Sequence, residues 1–212
     1  MTDRRSLPSK IACFVSVPRC ASKSILVMLA LGGERDEDSA EKTEQITIYE
    51  NHQRLSVLEA RYDLADKYNF AFVRNPYDRL ASWYQFHRNI EPYRPLTFAQ
   101  WIREGCPTHW IIQNRTKWKQ EGLSPLLQHN FLDASHAQMS FVGRMQSFDE
   151  DMKQVIGDLN SICIQRGIEH RFVFKSVRIN TSRSDTLTYT DELRERVFKM
   201  FRKDFDAFGY DA

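Results

Sequence analysis

Phe70 to Phe86 read FAFVRNPYDRLASWYQF, and this stretch carries a complete strand–turn–helix signature. The run Phe70–Val73 has no polar interruption and reads as a buried strand. Asn75 is placed to cap a helix, and Pro76 falls at its first position, where the missing N–H costs nothing. Asp78 suits the positive end of the helix dipole. Tyr77, Leu80, Ala81 and Tyr84 then recur at i, i+3, i+4 and i+7, one face of a helix.

The pattern repeats upstream. Ile11–Val17 (IACFVSV) and Ile46–Tyr49 are two further β-rich runs. Ser22 reads as the cap of a helix to Leu31, stopped by Gly32 and Gly33. His52 to Lys67 carries Leu55, Leu58, Tyr62 and Ala65 at helical spacing. Strand–helix alternation predicts an α/β fold, with a central parallel sheet covered on both faces as the middle of three layers. The acidic stretch Gly32–Glu44 (GGERDEDSAEKTE) has no apolar periodicity and reads as a solvated loop.

Downstream, short helices are predicted over Leu96–Arg103 and Trp110–Lys119, and a short strand over Phe141–Arg144. Ser147 reads as the cap of a helix to about Arg166, with Phe148, Met152, Val155, Ile156 and Leu159 on one face. Arg171–Phe174 (RFVF) reads as a last strand. Thr188 or Thr190 opens a final helix striped by Leu193, Val197, Met200, Phe201 and Phe205.

The chain has 212 residues, enough for one domain with a real core, residues 1–212. Lys+Arg is 30 against Asp+Glu 28, a net charge of +2. That balance gives no support to nucleic-acid binding, which calls for a strongly basic surface. A local basic pocket for a small anion remains compatible with it. No run of about 18 apolar residues is present, so no membrane span is expected. Ile11–Val17 is short for a signal-peptide core, which leaves a cytoplasmic location as the expectation. The four cysteines, Cys13, Cys20, Cys106 and Cys163, form no CxxC and read as free thiols, with no metal site implied.

Ligands of open parallel sheets bind beyond the carboxyl ends of the strands. After Val17 comes Pro18-Arg19-Cys20-Ala21-Ser22-Lys23-Ser24. It is a turn of small residues with two cations and two hydroxyls, entering a helix N-terminus: the makings of an anion site. After Val73 comes Arg74 beside a second helix start, with Ser82 further along that helix. After Tyr49 comes Glu50-Asn51-His52, the carboxylate–histidine pair near a strand end. Each has a plainer reading. Arg74 also fits a helix-flanking surface cation, His52 a helix-start residue, and Trp83, Trp101, Trp110 and Trp118 core side chains. A Walker A loop needs GxxxxGK[ST]; Lys23-Ser24 fits its end, but Val17 and Ser22 stand at the glycine positions.

In combination, FVSVPRCASKSI (Phe14–Ile25) and FAFVRNPYDRLASWYQF (Phe70–Phe86) resemble the paired signature of sulfotransferases that use 3′-phosphoadenosine 5′-phosphosulfate (PAPS). The resemblance is to the Golgi carbohydrate branch and its small bacterial relatives. HWIIQ (His109–Gln113), FVGRMQSFDEDM (Phe141–Met152), RINTSRS (Arg178–Ser184) and YTDEL…DFDAFGY (Tyr189–Tyr210) extend it in family order. It implies a P-loop-like sulfotransferase fold, with PAPS as donor, PAP as product and no metal.

Carried across by position, Arg19, Cys20, Ala21, Ser22, Lys23 and Ser24 hold the 5′-phosphosulfate. Arg74 and Ser82, within Arg74-Asn75-Pro76…Arg79-Leu80…Ser82, hold the 3′-phosphate, and Arg183 joins the donor site. Arg19 replaces the family's loop lysine with a planar fork that does not readily give up a proton. Lys23 stands where the family has a hydroxyl.

His52 is the implied base, its neutral imidazole suited to deprotonating a hydroxyl. Glu50 is its competitor: as an alternating strand residue it would share His52's face and orient the ring or act itself. The acceptor segment, about 85–138, carries tryptophans together with Arg88, Arg94, Arg103 and His109, a mixture that suits a glycan or another small or anionic hydroxyl acceptor. Two alternatives stay open: a catalytically silent PAP- or PAPS-binding relative, and a P-loop nucleotide kinase.

Overall fold

The computed structural model describes residues 8–30, 47–88, 96–108, 119, 123–177 and 187–212. The expected loop Gly32–Glu44 and nearly all of the expected helix Trp110–Lys119 lie outside these residues. The chain forms two compact units. One contains the described parts of Met1–Val73 and Phe131–Ile179, the other those of Arg74–Asn130 and Asn180–Ala212.

The first unit is built on a four-stranded parallel sheet in the order β2-β1-β3-β4. The strands are β1 (Ala12–Val15), β2 (Thr47–Glu50), β3 (Tyr68–Val73) and β4 (Phe141–Arg144). Every residue of β1 is buried, and so is every residue of β3 after Tyr68. Both faces of these central strands are therefore covered, and their sequences run apolar instead of alternating. Phe14 stacks on Phe70 at 5.1 Å and on Tyr49 at 5.9 Å, tying the three strands through one aromatic row.

Helix α1 (Ser22–Ala30) follows β1, and α2 (Leu55–Arg61) follows β2. Helix α2 is shorter than the expected His52–Lys67. The chain turns extended at Tyr62, and the Asp63 carboxylate then accepts from the Ala65 N–H, a local turn that competes with further helix. After β4, a 3-10 turn (Met145–Ser147) leads into the long helix numbered α6 in chain order (Phe148–Gln165). Ser147 stands at its cap position but makes no capping bond. Its hydroxyl instead donates to Asp151 at 2.8 Å.

Arg171–Phe174 is not a strand: this stretch is irregular. Phe172 is buried, and the Asn160 carboxamide on α6 satisfies both of its backbone groups. Asn160 Oδ1 accepts from the Phe172 N–H at 2.7 Å, and Nδ2 donates to its carbonyl at 2.9 Å. One side chain thus does for this residue what a strand ladder would do.

The second unit is helical. It holds α3 (Pro76–His87), α4 (Phe98–Arg103) and α7 (Asp191–Phe208), while the one-turn α5 (His129–Leu132) lies at the boundary between the units in sequence. The Asn75 side chain caps α3 by accepting from the Tyr77 N–H at 2.9 Å, and Thr190 caps α7 by accepting from Leu193. Thr97 and Gln100 form a capping box on α4. Leu193, Val197, Phe201 and Phe205 of α7 pack with Leu80, Trp83 and Trp101 in one buried cluster. Full burial of each such side chain is worth about 1.5–3 kcal/mol, so packing rather than propensity holds α7 in place. Trp83 and Trp101 are core residues, as their plainer reading has it.

Candidate functional site

Strand order sets the place to look. The chain runs from β1 to β2 on one side and then to β3 on the other, so the switch point lies between β1 and β3. Beyond β1 come Ser16 and the turn 17–21, and beyond β3 comes Arg74. In register, Val15 faces Glu50 of β2 and Ala71 of β3, so these strands finish at one edge.

The turn after β1 is tightly folded. Arg19 (φ 67) and Ala21 (φ 58) both adopt the left-handed conformation without being glycine. Such residues are uncommon and persist where surrounding structure imposes them, often at ligand-binding turns. The Cys20 N–H closes onto the Val17 carbonyl at 3.3 Å, and its buried thiol lies 3.7 Å from the Pro18 carbonyl. The Ala21 carbonyl accepts from the Ile25 N–H at 3.0 Å, so Ala21, not Ser22, is the residue at the helix cap. The Ser22 hydroxyl folds back toward β1, donating to the Val17 carbonyl at 3.4 Å and accepting from the Ser16 hydroxyl at 2.8 Å. Arg19 is half-buried, Lys23 is exposed in the first turn of α1, and Ser24 is buried. Two cations and a helix N-terminus thus share one short segment, the donor set that suits an anion.

His52 is brought to that segment. Its Nδ1 lies 3.0 Å from the Ser16 carbonyl and 3.1 Å from the Ser16 hydroxyl. A carbonyl can only accept, so the bond to it requires the proton on Nδ1. In the neutral ring Nε2 then keeps its lone pair, the arrangement a general base needs. His52 itself has φ 53, a third left-handed non-glycine residue in this region. Ser16, 0% exposed, therefore touches both the helix-start serine and the imidazole. Ser16 is not among the site residues expected from the sequence, although it is the one polar residue inside the apolar run Ile11–Val17.

Glu50 has different partners. One carboxylate oxygen accepts from Arg61 and the other from the Tyr62 hydroxyl at 2.8 Å. The expected shared strand face does not hold, because β2 ends at Glu50 and His52 sits in the turn beyond it. Burial pushes the Cys13 thiol up to about 12, and the Glu50 charge adds to that. Burial also raises the Tyr49 phenol, tempered by its bond to Ser16.

In the second unit, Arg74 is half-buried and Ser82 is buried on α3. The Gln128 carboxamide grips the backbone of Arg74 at both ends. Oε1 accepts from its N–H at 2.9 Å, and Nε2 donates to its carbonyl at 2.8 Å. Gln128 is anchored in turn by Asp204 of α7, whose carboxylate accepts from the Gln128 N–H at 2.8 Å and the His129 N–H at 3.0 Å. Arg79 of the same motif is structural. It is 1% exposed, lies over the Trp83 ring at 4.4 Å and donates to the Leu126 carbonyl. Arg183, His109, Trp110, Trp118 and Arg94 lie outside the described residues.

All four cysteines are buried free thiols. Among the described residues, no group of three or more His, Cys, Asp or Glu side chains could hold a metal, and no helix is long and apolar enough to cross a membrane.

A model described as "Sulfotransferase family" matches residues 8–211. Among solved structures, the crystal structure of a sulfotransferase from Alicyclobacillus acidocaldarius is similar, with TM-score 0.49 and 16% identity over 96% of this chain and 97% of that one. No curated protein matches the chain.

Proposed function

The chain belongs to the sulfotransferase family, enzymes of sulfuryl transfer, and from that premise we propose that it moves a sulfuryl group from PAPS to a hydroxyl acceptor, such as a glycan or another small or anionic molecule. The observation that carries the base assignment is the Ser16–His52 contact, which leaves Nε2 of the neutral ring as the acceptor of a proton.

When bound, PAPS supplies a sulfuryl group activated by its 5′-phosphate. His52 takes the proton of the acceptor hydroxyl as that oxygen bonds to sulfur. The S–O bond to the 5′-phosphate breaks in line, and PAP departs with the electron pair. Arg19, Lys23, Ser24 and the N–H groups at the start of α1 offset the charge that grows on the leaving phosphate. Cys20, Ala21 and Ser22 shape that turn, and Ser22 links it to Ser16. Arg74 and Ser82 hold the 3′-phosphate that separates this donor from ATP, and Arg183 joins the donor site. The acceptor segment is residues 85–138 of a single sulfotransferase domain. Glu50 is the alternative base, and its bonds to Arg61 and Tyr62 argue for a supporting role.

Two alanine variants assayed with PAPS and one good acceptor test the base. His52→Ala should lower turnover by about 10²–10⁴-fold, with PAP affinity changed by no more than a few fold. Glu50→Ala should lose less. A near-normal rate for His52→Ala beside a collapsed rate for Glu50→Ala would move the role to the carboxylate.

A further inference from the structure

Arg74 occupies an awkward backbone position. It falls between the last residue of β3 and the cap residue Asn75 of α3, so neither a strand ladder nor a helix is provided for its N–H and carbonyl by the elements beside it. Both groups instead bond to one side chain, the Gln128 carboxamide, at 2.9 and 2.8 Å. A carboxamide is the side-chain equivalent of a peptide group. Two opposed bonds to a single residue fix its position and the rotation of its peptide planes far better than one would. Gln128 is 0% exposed, so water competes little for these bonds.

The clamp is itself held. Asp204, also 0% exposed, accepts from the Gln128 N–H through one oxygen and from the His129 N–H through the other. His129 Nδ1 lies a further 2.8 Å from the second oxygen. Asp204 belongs to the buried stripe side of α7, next to Phe205. A rigid path therefore runs from α7 through Asp204 and Gln128 to the Cα of Arg74, all within one unit.

We infer that Gln128, anchored by Asp204, is a positioning residue that aims the Arg74 guanidinium at the 3′-phosphate of the donor and so sets the preference for a 3′-phosphorylated nucleotide. The inference rests on the reading of Arg74 as a 3′-phosphate ligand. A charge-assisted bond from a guanidinium depends on direction as well as charge, so releasing the backbone costs the bond even though the arginine remains.

The test is the ratio of affinities for PAP and for 5′-AMP, measured by titration calorimetry on the full chain. The variants are Arg74→Ala, Gln128→Met and the two combined. Methionine keeps the length of glutamine and removes both bonds. Arg74→Ala should lower the ratio at least tenfold. Gln128→Met should lower it by a similar factor with 5′-AMP affinity nearly unchanged, and the double variant should fall no further than Arg74→Ala alone. A side chain serving only the fold would lower the melting temperature and leave the ratio alone.

A folded Gln128→Met with the wild-type ratio, or losses that multiply in the double variant, overturns the inference while the Arg74 reading stands. Equal affinity of wild type for PAP and 5′-AMP, or an unchanged ratio in Arg74→Ala, overturns the Arg74 reading and the inference with it. Should Gln128→Met not fold, Gln128→Glu is read by the same criteria, since its carboxylate cannot donate to the Arg74 carbonyl. Failure of both to fold counts against the inference, because the side chain would then hold the fold and not the arginine.

Discussion

Glu59→Gln tests how α2, the helix that follows the His52 turn, is tied to the chain entering β4. Glu59 is 6% exposed. Its carboxylate accepts three backbone N–H bonds, from Ser135 and Ala137 at 2.8 Å and from His136 at 2.9 Å. Glutamine keeps the shape and one acceptor oxygen, which can still serve His136 and Ala137 as Oε2 does, and turns its NH₂ toward the Ser135 N–H. The two bonds that are kept pass from a charged to a neutral acceptor and lose about 1 kcal/mol each. Ser135 is exposed and can turn to water, so its lost bond costs about 0.5–1.5 kcal/mol. The sum is about 2–4 kcal/mol, and at about 2–4 °C per kcal/mol for a chain of this size Tm should fall by roughly 5–15 °C.

The pH dependence has a definite sign. Burial pushes the Glu59 carboxyl up, but the three N–H bonds and the His136 charge pull it down further, and it ends below its ordinary 4.5. A depressed carboxyl contributes stability that is complete above about pH 4.5 and is lost as pH falls through the lower folded value. Urea unfolding of both proteins across an acid series should show the widest gap near neutrality and a narrowing gap below about pH 4.5. A variant within about 0.5 kcal/mol of wild type at pH 7, or a gap that widens on acidification, would refute the reasoning.

Gly143 of β4 lies opposite Phe72 of β3, and a Cβ there would come within 2.5 to 2.8 Å of three Phe72 ring carbons. Phe72 is 1% exposed and meets Phe148 edge-on at 5.2 Å, so Gly143→Ala should destabilise by about 1–3 kcal/mol in urea unfolding, and no loss would mean the ring has room to move. In donor binding, Arg74→Ala should weaken PAP more than Ser82→Ala, since a charge-assisted bond to phosphate exceeds one from a neutral hydroxyl; calorimetry of the two variants reads this directly, and the reverse order would count against the assignment.

The elements legible in the sequence were those set by neighbours along the chain. Asn75-Pro76 and Thr190 announce their helices because capping is a local bond. Phe141–Arg144 was readable because its bounds are set by local β-rich composition. Arg171–Phe174 is at least as β-rich, yet Asn160 takes both backbone groups of Phe172 and no ladder forms. Nothing within RFVF records that. The candidate site divides the same way. The turn 18–24 and Arg74 were legible as cations at strand ends. Ser16 meets His52 across 36 residues, Gln128 meets Arg74 across 54, and Asp204 meets Gln128 across 76. These contacts follow from the fold of each unit, and a lone buried Gln or Asp has no periodicity to betray it.

Donor recognition is the claim on which the functional reading turns, and a ligand-induced shift in unfolding measures it most directly. PAP, ATP and GTP would each be added at one concentration to the full chain. At about 100 Kd, PAP should stabilise the native state by about 2.7 kcal/mol, with ATP and GTP causing no comparable shift. Equal stabilisation by ATP, with none specific to the 3′-phosphorylated nucleotide, would contradict it.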